Sequence, residues 1–137
     1  MGIAHAEITL KNIRDENLAR HGYIKAEEIR TAAVTAIVDT GAMSLIITEE
    51  LRKKLGLDVK GEKIARTANG ERVTGKVTEA VEVKWKNREW TVQALVLPGA
   101  ENILLGAIPL EGLDLMVNPV TQELVGAHGE NAEYWIL

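Results

Sequence analysis

The part of this chain whose residue types could do chemistry is the tetrapeptide Asp39-Thr40-Gly41-Ala42, which ends an apolar, β-branched run from Ala33 to Val38. A carboxylate leaving an apolar strand needs donors around it, or its pKa rises. Gly41 supplies a tight turn and an N–H that can approach the carboxylate closely. Thr40 supplies a hydroxyl that donates and accepts, and small Ala42 leaves room for a second group. An Asp-Thr-Gly arises by chance in about 3 of 100 chains of this length, so the surroundings have to carry the reading. Other chemistries have less behind them. His5, His21 and His128 are scattered without ligand-like spacing, which predicts no metal site. Ser44 has no His close in sequence, and the glycines spell no Walker or dinucleotide fingerprint.

Composition narrows the field further. The 137 residues have room for a single domain, 1–137. With no cysteine there is no disulfide scaffold, zinc–thiolate site, iron–sulfur cluster or thiol nucleophile. The net charge of −4 argues against a dedicated nucleic-acid binder. Apolar runs such as Ala94-Leu95-Val96-Leu97 are too short to span a membrane. The first residues lack a basic stretch followed by an apolar core, so no signal peptide and a cytoplasmic location are expected. There is no Phe, so Ile, Leu, Val, Ala, Met and a few Trp and Tyr must form the core.

The elements that must position Asp39 read mostly as short strands punctuated by Gly. Ala6–Leu10 alternates as a strand, and residues 11–31 read as an uncertain polar loop or insertion with a helical turn at most. Leu45-Ile46-Ile47 is a second buried strand. Thr48 to Gly56 is the clearest helix, with an N-cap Thr, two Glu in the first turn, Arg and Lys in the last and Gly at C′. Asn69-Gly70 signals a two-residue hairpin turn with arms Lys63–Ala68 and Glu71–Thr78. A second hairpin is predicted over Ala80–Lys86 and Glu89–Leu97. Then follow Ile103-Leu104-Leu105-Gly106, a Pro-containing segment at Ala107–Gly112, and strands at Leu113–Val117 and Glu123–Val125. Eight or more strands with one or two short helices make an all-β barrel or sandwich.

This order, from the apolar strand through Asp39-Thr40-Gly41-Ala42 and the Asn69-Gly70 hairpin to Leu104-Leu105-Gly106 and a short helix, resembles the retroviral-type (retropepsin-like) aspartic proteases, and their small prokaryotic and archaeal members most. The resemblance covers about residues 33–126. It implies a closed acid-protease barrel acting as a homodimer, with Asp39 as the catalytic aspartate. Thr40 would bond across the dimer axis, and Gly41 and Ala42 would line the cleft. Leu104, Leu105 and Gly106 would hold the active-site loop from beneath, and Ala68, Asn69 and Gly70 would tip the flap over a peptide substrate. No metal or organic cofactor is implied. The chain departs from the viral pattern in a flap tip without a multi-Gly run, in Ala107 where many relatives carry Arg or Asp, and in Met43 and Ser44 where acids often follow the motif.

A physical argument points the same way. Aspartic protease chemistry needs two carboxylates about 3 Å apart sharing one proton, one activating water and the other polarising the carbonyl. The other Asp residues, Asp15, Asp58 and Asp114, lie in unlike contexts, so the second carboxylate must come from another chain. A two-fold dimer with Asp39 on its axis delivers it. The expected activity is therefore that of an aspartic endopeptidase. The alternative is a protease-like dimer that binds peptides or associates with weak or lost activity, and a third reading is an unrelated barrel with a structural Asp39. Trp85, Trp90 and Trp135 read as core or interface, and the apolar tail Tyr134-Trp135-Ile136-Leu137 as a contribution to the dimer or to the monomer core.

Overall fold

In the first strand, β1 (His5–Asn12), inward and outward positions alternate, with Ala6, Ile8, Leu10 and Asn12 buried. In this computed structural model, which describes residues 3–130, β1 pairs antiparallel with β2 (Thr31–Val38), matching Ala6 to Ala36 and Leu10 to Ala32. The remaining elements are α1 (Ile13–Arg20), a 3-10 turn (Ala26–Glu28), β3 (Leu45–Ile47), α2 (Glu49–Leu55), β4 (Val59–Arg66), β5 (Arg72–Trp85), β6 (Arg88–Val96), β7 (Leu104–Leu105), α3 (Ala107–Gly112), β8 (Leu115–Val117) and β9 (Leu124–Gly126). The fold is mostly β with few short helices. None of the described helices is long and apolar enough to cross a membrane. The apolar tail, residues 134–137, and Trp135 lie outside the described residues.

One seven-stranded sheet runs β1-β2-β7-β3-β6-β5-β4, and β8 and β9 form a separate pair. β1 also pairs with β5, Leu10 opposite Val83, so the ladder that leaves β1 through β2 returns to it through β5. The core lies within this curl: Leu10, Leu45, Ile47, Leu55, Leu57, Val81, Val83 and Leu105 are almost wholly enclosed. β3 is buried along its whole length, as a strand pairing in parallel with β6 and antiparallel with β7 must be. The predicted caps of α2 are present. Thr48 Oγ1 accepts from Leu51 N at 3.1 Å, and Gly56 closes the helix at φ 63°.

Four expectations need correction. Residues 11–31 are ordered: β1 runs on to Asn12, α1 follows, and a 3-10 turn leads into β2. Polar side chains tie this segment down. Fully buried Asn12 caps α1 by accepting from Asp15 N at 3.0 Å and donates to Leu55 O at 2.8 Å. Asp15, expected in a charged loop, is buried and takes three hydrogen bonds from Arg30. Second, the two expected hairpins share a single strand, the 14-residue β5, which bulges between Val77 and Ala80 instead of breaking. Third, the Asn69-Gly70 turn is longer than two residues. Thr67 N donates to Glu71 O, Gly70 N donates to Thr67 O, and only Gly70 has positive φ (85°), as in a three-residue loop closing on a glycine bulge. Fourth, three α-helices form among the described residues where one or two were expected.

Candidate active site

Asp39 is the first residue beyond β2, where the parallel pairing of Val38 with Leu105 ends. Its own N–H continues that ladder, donating to Leu105 O at 3.0 Å. The chain then loops through Thr40, Gly41, Ala42, Met43 and Ser44 and returns as β3 on the other side of β7, with Leu45 opposite Leu105. The two-residue β7 therefore lies between the strand that delivers Asp39 and the strand that leaves it.

The loop is fastened from within and from below. Gly41 N donates to Asp39 Oδ1 at 2.9 Å, and Ala42 N to Asp39 O at 3.1 Å. Gly106 N donates to Ser44 O at 3.1 Å. The first two amides of α3, Ala107 N and Ile108 N, donate to Ala42 O at 2.8 Å and Met43 O at 2.9 Å. These α3 amides have no partner inside their helix, and the loop carbonyls satisfy them. Gly106 has to be glycine for a steric reason. A Cβ there would stand 2.4 Å from Ser44 O and 2.6 Å from Ala42 O, inside the backbone it supports.

The structure thus brings Asp39, Thr40, Gly41 and Ala42 together with Leu104, Leu105 and Gly106. Leu105 is enclosed, Asp39 is half-buried, and Thr40 and Gly41 face solvent. Asp39 has one carboxylate oxygen committed to Gly41. Among the described residues no cation lies within ion-pair distance of it. The other aspartates are engaged elsewhere. Asp15 pairs with Arg30, whose hydrogen bonds hold its carboxyl below the ordinary range. Asp58 lies 3.7 Å from Arg14. Asp114 sits in a cluster with Arg88 and His128.

Ala68, Asn69 and Gly70 tip the hairpin of β4 and β5 and are exposed. Among the described residues every hydrogen bond of this loop is internal to the hairpin, including Thr67 Oγ1 to Asn69 Oδ1 and Arg66 Nη1 to Gly70 O (3.1 Å). Nothing in these bonds ties the tip to the Asp39 loop. A cleft of about 630 Å³ opens farther along the molecule, between Glu49 at the start of α2, Thr74 and Lys76 of β5, and the loop from Leu97 to Glu101; Asp39 does not line it.

Sequence reasoning missed Arg88, Asp114 and His128. Arg88 is buried at the start of β6 and donates to Leu113 O at 3.1 Å, Asp114 O at 2.6 Å and Gly129 O. Its Nη1 lies 3.5 Å from Asp114 Oδ2, and His128 Nδ1 lies 2.5 Å from Asp114 Oδ1. His128, then Arg88, hold the Asp114 carboxyl below the ordinary range. This cluster ties the end of α3 and the β8–β9 pair to β6. The signal was available: Asp114 interrupts the apolar run Leu113 to Met116 just as Asp39 ends one. Trp85 packs half-buried on the core, whereas Trp90 lays its ring against Gly112 and stays partly exposed. Among the described residues no three His, Asp or Glu are placed to hold a metal ion.

A family model described as "Aspartyl protease" matches residues 27–108. That span holds the whole arrangement above, from the strand that delivers Asp39 to the start of α3. The fold is similar to that of the retroviral EIAV protease solved with the inhibitor HBY-793. The TM-score is 0.58 and the identity 17%, over 80% of this chain and 86% of that one. No curated protein matches the sequence. With well over half of its length accounted for by that model, and the Asp-Thr-Gly loop seated on Leu104-Leu105-Gly106 in a fold like that of a retroviral protease, the chain belongs to the aspartyl protease family.

Proposed function

We propose that the protein is an aspartic endopeptidase whose single active site forms at the axis of a homodimer, from Asp39 of each protomer. The observation that carries this reading is the isolation of Asp39. Among the described residues it is the one aspartate presented at the surface on a fastened loop without a cation beside it, while Asp15 and Asp114 are buried in ion pairs and Asp58 stands near Arg14. One protomer therefore has half of a carboxylate pair, and a two-fold axis through the loop supplies the rest.

In the pair, one carboxylate takes a proton from a bound water, whose oxygen attacks the peptide carbonyl carbon. The other, protonated, hydrogen-bonds to the carbonyl oxygen and gives it its proton as the tetrahedral intermediate forms. Collapse breaks the C–N bond, and a proton passes to the leaving amine. The Gly41 amide, held on Oδ1, keeps the carboxylate oriented without neutralising it. The exposed tip Ala68-Asn69-Gly70 is the flap that covers an extended peptide, and Thr40 fastens one loop to its copy. Because the pair must hold one proton, activity is expected on the acid side and to fall on either side of an optimum.

The test is cleavage of a mixed peptide library between pH 3 and 7, with Asp39→Asn beside the wild type. Loss of at least about a thousandfold in the variant, with the fold unchanged, is expected for removal of the nucleophile-activating group. A folded dimer that binds peptides and cleaves none of them would replace this reading with that of a peptide-binding module.

A further inference from the structure

The hairpin β4–β5 carries a charge arrangement that the proposed chemistry does not use. Between Val59 and Lys76 there are five cations, Lys60, Lys63, Arg66, Arg72 and Lys76, against two carboxylates, Glu62 and Glu71. The surplus is three positive charges in a chain whose net charge is −4; one of the five cations, Lys76, lies 3.7 Å from Glu49 of α2. All seven residues are exposed. Arg66 and Arg72 stand directly opposite each other across the two strands, and like charges in that position destabilise a hairpin.

The contrast with the other arginines is sharp. Arg14, Arg30, Arg52 and Arg88 each reach a carboxylate, and Arg20 reaches Asn17 Oδ1. Among the described residues Arg66 and Arg72 form no ion pair; Arg66 bonds only to the carbonyl of Gly70. The register puts Ile64 and Thr74, then Glu62 and Lys76, on the same face as the two arginines. The opposite face carries Gly75, which packs against Leu95 and Leu97 of the body. Toward the body this arginine face runs into the cleft beside α2, where Thr74 and Lys76 line the wall; toward the tip Ile64, Arg66 and Arg72 stand exposed. β4 is also the terminal strand of the sheet, so among the described residues no strand lies along its outer edge.

We infer that the arginine face of the hairpin tip binds an acidic, extended polypeptide segment, with Arg66 and Arg72 as the principal anchors and the edge of β4 as backbone partner. If the protein is the endopeptidase proposed above, that segment belongs to a polypeptide substrate, outside the bond to be cut. The inference rests on that function only for the segment's origin; the binding itself needs no catalysis. A polypeptide is favoured over a nucleic acid because the remaining surface is acidic and would repel a long polyanion.

The experiment is fluorescence anisotropy with the full-length Asp39→Asn protein. The probes are labelled peptides of equal length in which Ser alternates with Glu, Gln or Lys, and an oligothymidylate. The Glu peptide should bind roughly tenfold or more tighter than the Gln peptide at low salt and lose that margin as salt rises. Arg66→Gln with Arg72→Gln should erase the margin. Arg72→Glu should also erase it, while its new opposite-charge pair with Arg66 keeps or raises the Tm, so loss of folding cannot mimic the result. Equal binding of Glu and Gln peptides, an unchanged margin in Arg72→Glu, or tighter binding of the oligothymidylate would each overturn the inference. If the Glu peptide binds as expected but wild type cleaves nothing, the protease function falls and the acidic-segment site stands. Cleavage without a Glu preference in binding would do the opposite, leaving the protease and removing the site.

Discussion

Around Asp39 the decisive contacts are made by backbone, and glycine is the residue that allows them. Gly41 brings an amide onto the carboxylate, and Gly106 lets the carbonyls of Ala42 and Ser44 pass within reach of β7 and α3. Gly106→Ala tests this directly. The atoms its Cβ would strike are main chain, so the loop itself must move. Destabilisation of about 1–3 kcal/mol is expected from overpacking at such a site, read by urea unfolding, with cleavage lost beyond what the stability change explains. Gly61→Ala is the control, because a Cβ there meets nothing within 4 Å. The two motifs were legible as letters, since an acid ending an apolar run and a Gly after two Leu are conspicuous. That the amides of Gly106, Ala107 and Ile108 donate to three carbonyls of the Asp39 loop was not, because backbone hydrogen bonds leave no mark on residue type.

Among the elements, α2 was legible to its last residue because its caps are local: Thr48, the two Glu and Gly56 lie within one short stretch. α1 was not, because what stabilises it is distant. Asn12 reaches Leu55, Arg14 reaches Glu79 and Gly56, and Asp15 reaches Arg30. A helix that short has little stability of its own. α1 also brings Glu16 beside Glu82 of β5, which has Glu89 of β6 and Lys11 of β1 as further neighbours. Hydrogen bonding with Glu16, then burial, holds the Glu82 carboxyl above its ordinary value, and Glu82 does the same to Glu89, near which Lys84 lies. A folded value above the unfolded one adds stability below the unfolded value and loses it as pH rises through the folded value. Glu82→Gln should therefore raise the Tm at pH 7 and leave it nearly unchanged near pH 4, checked by thermal unfolding across that range. A gain only at the acid end would contradict the assignment. Asp15, Glu49, Glu79 and Asp114, each held low first by a hydrogen bond from a basic side chain, act in the opposite sense: their stability is present above the ordinary carboxylate range and lost as pH falls below it.

At the scale of the whole molecule, one sheet carries both halves of the proposed machine. Its central strands β2, β7 and β3 hold the Asp39 loop, and its far edge, β5 and β4, extends into the hairpin. The centre is buried and fastened, while the hairpin tip is bonded only to itself. A site that needs two copies of Asp39 makes a prediction for mixtures. When wild type is re-equilibrated with an equal amount of Asp39→Asn, random pairing leaves about half of the wild-type chains in fully wild-type dimers. Cleavage per wild-type chain should fall by that factor. An unchanged rate per wild-type chain would show that each protomer works alone.

The sequence by itself determined the local facts: a mostly β chain, the capped helix α2, an acid placed at the end of a buried strand, and a second motif able to pack closely beneath it. Each follows from residue types within a few positions of one another. Only the tertiary structure decided that β7 lies between the two arms of the Asp39 loop, that β5 is one strand shared by two hairpins, and that Asn12 and Asp15 order the segment before β2. It alone set Arg66 opposite Arg72 and Arg88 beneath Asp114. The reason is physical. Side-chain periodicity records which face of an element is buried, whereas register, bulges and buried polar partners depend on groups far apart in the chain, whose pairing only the folded core selects.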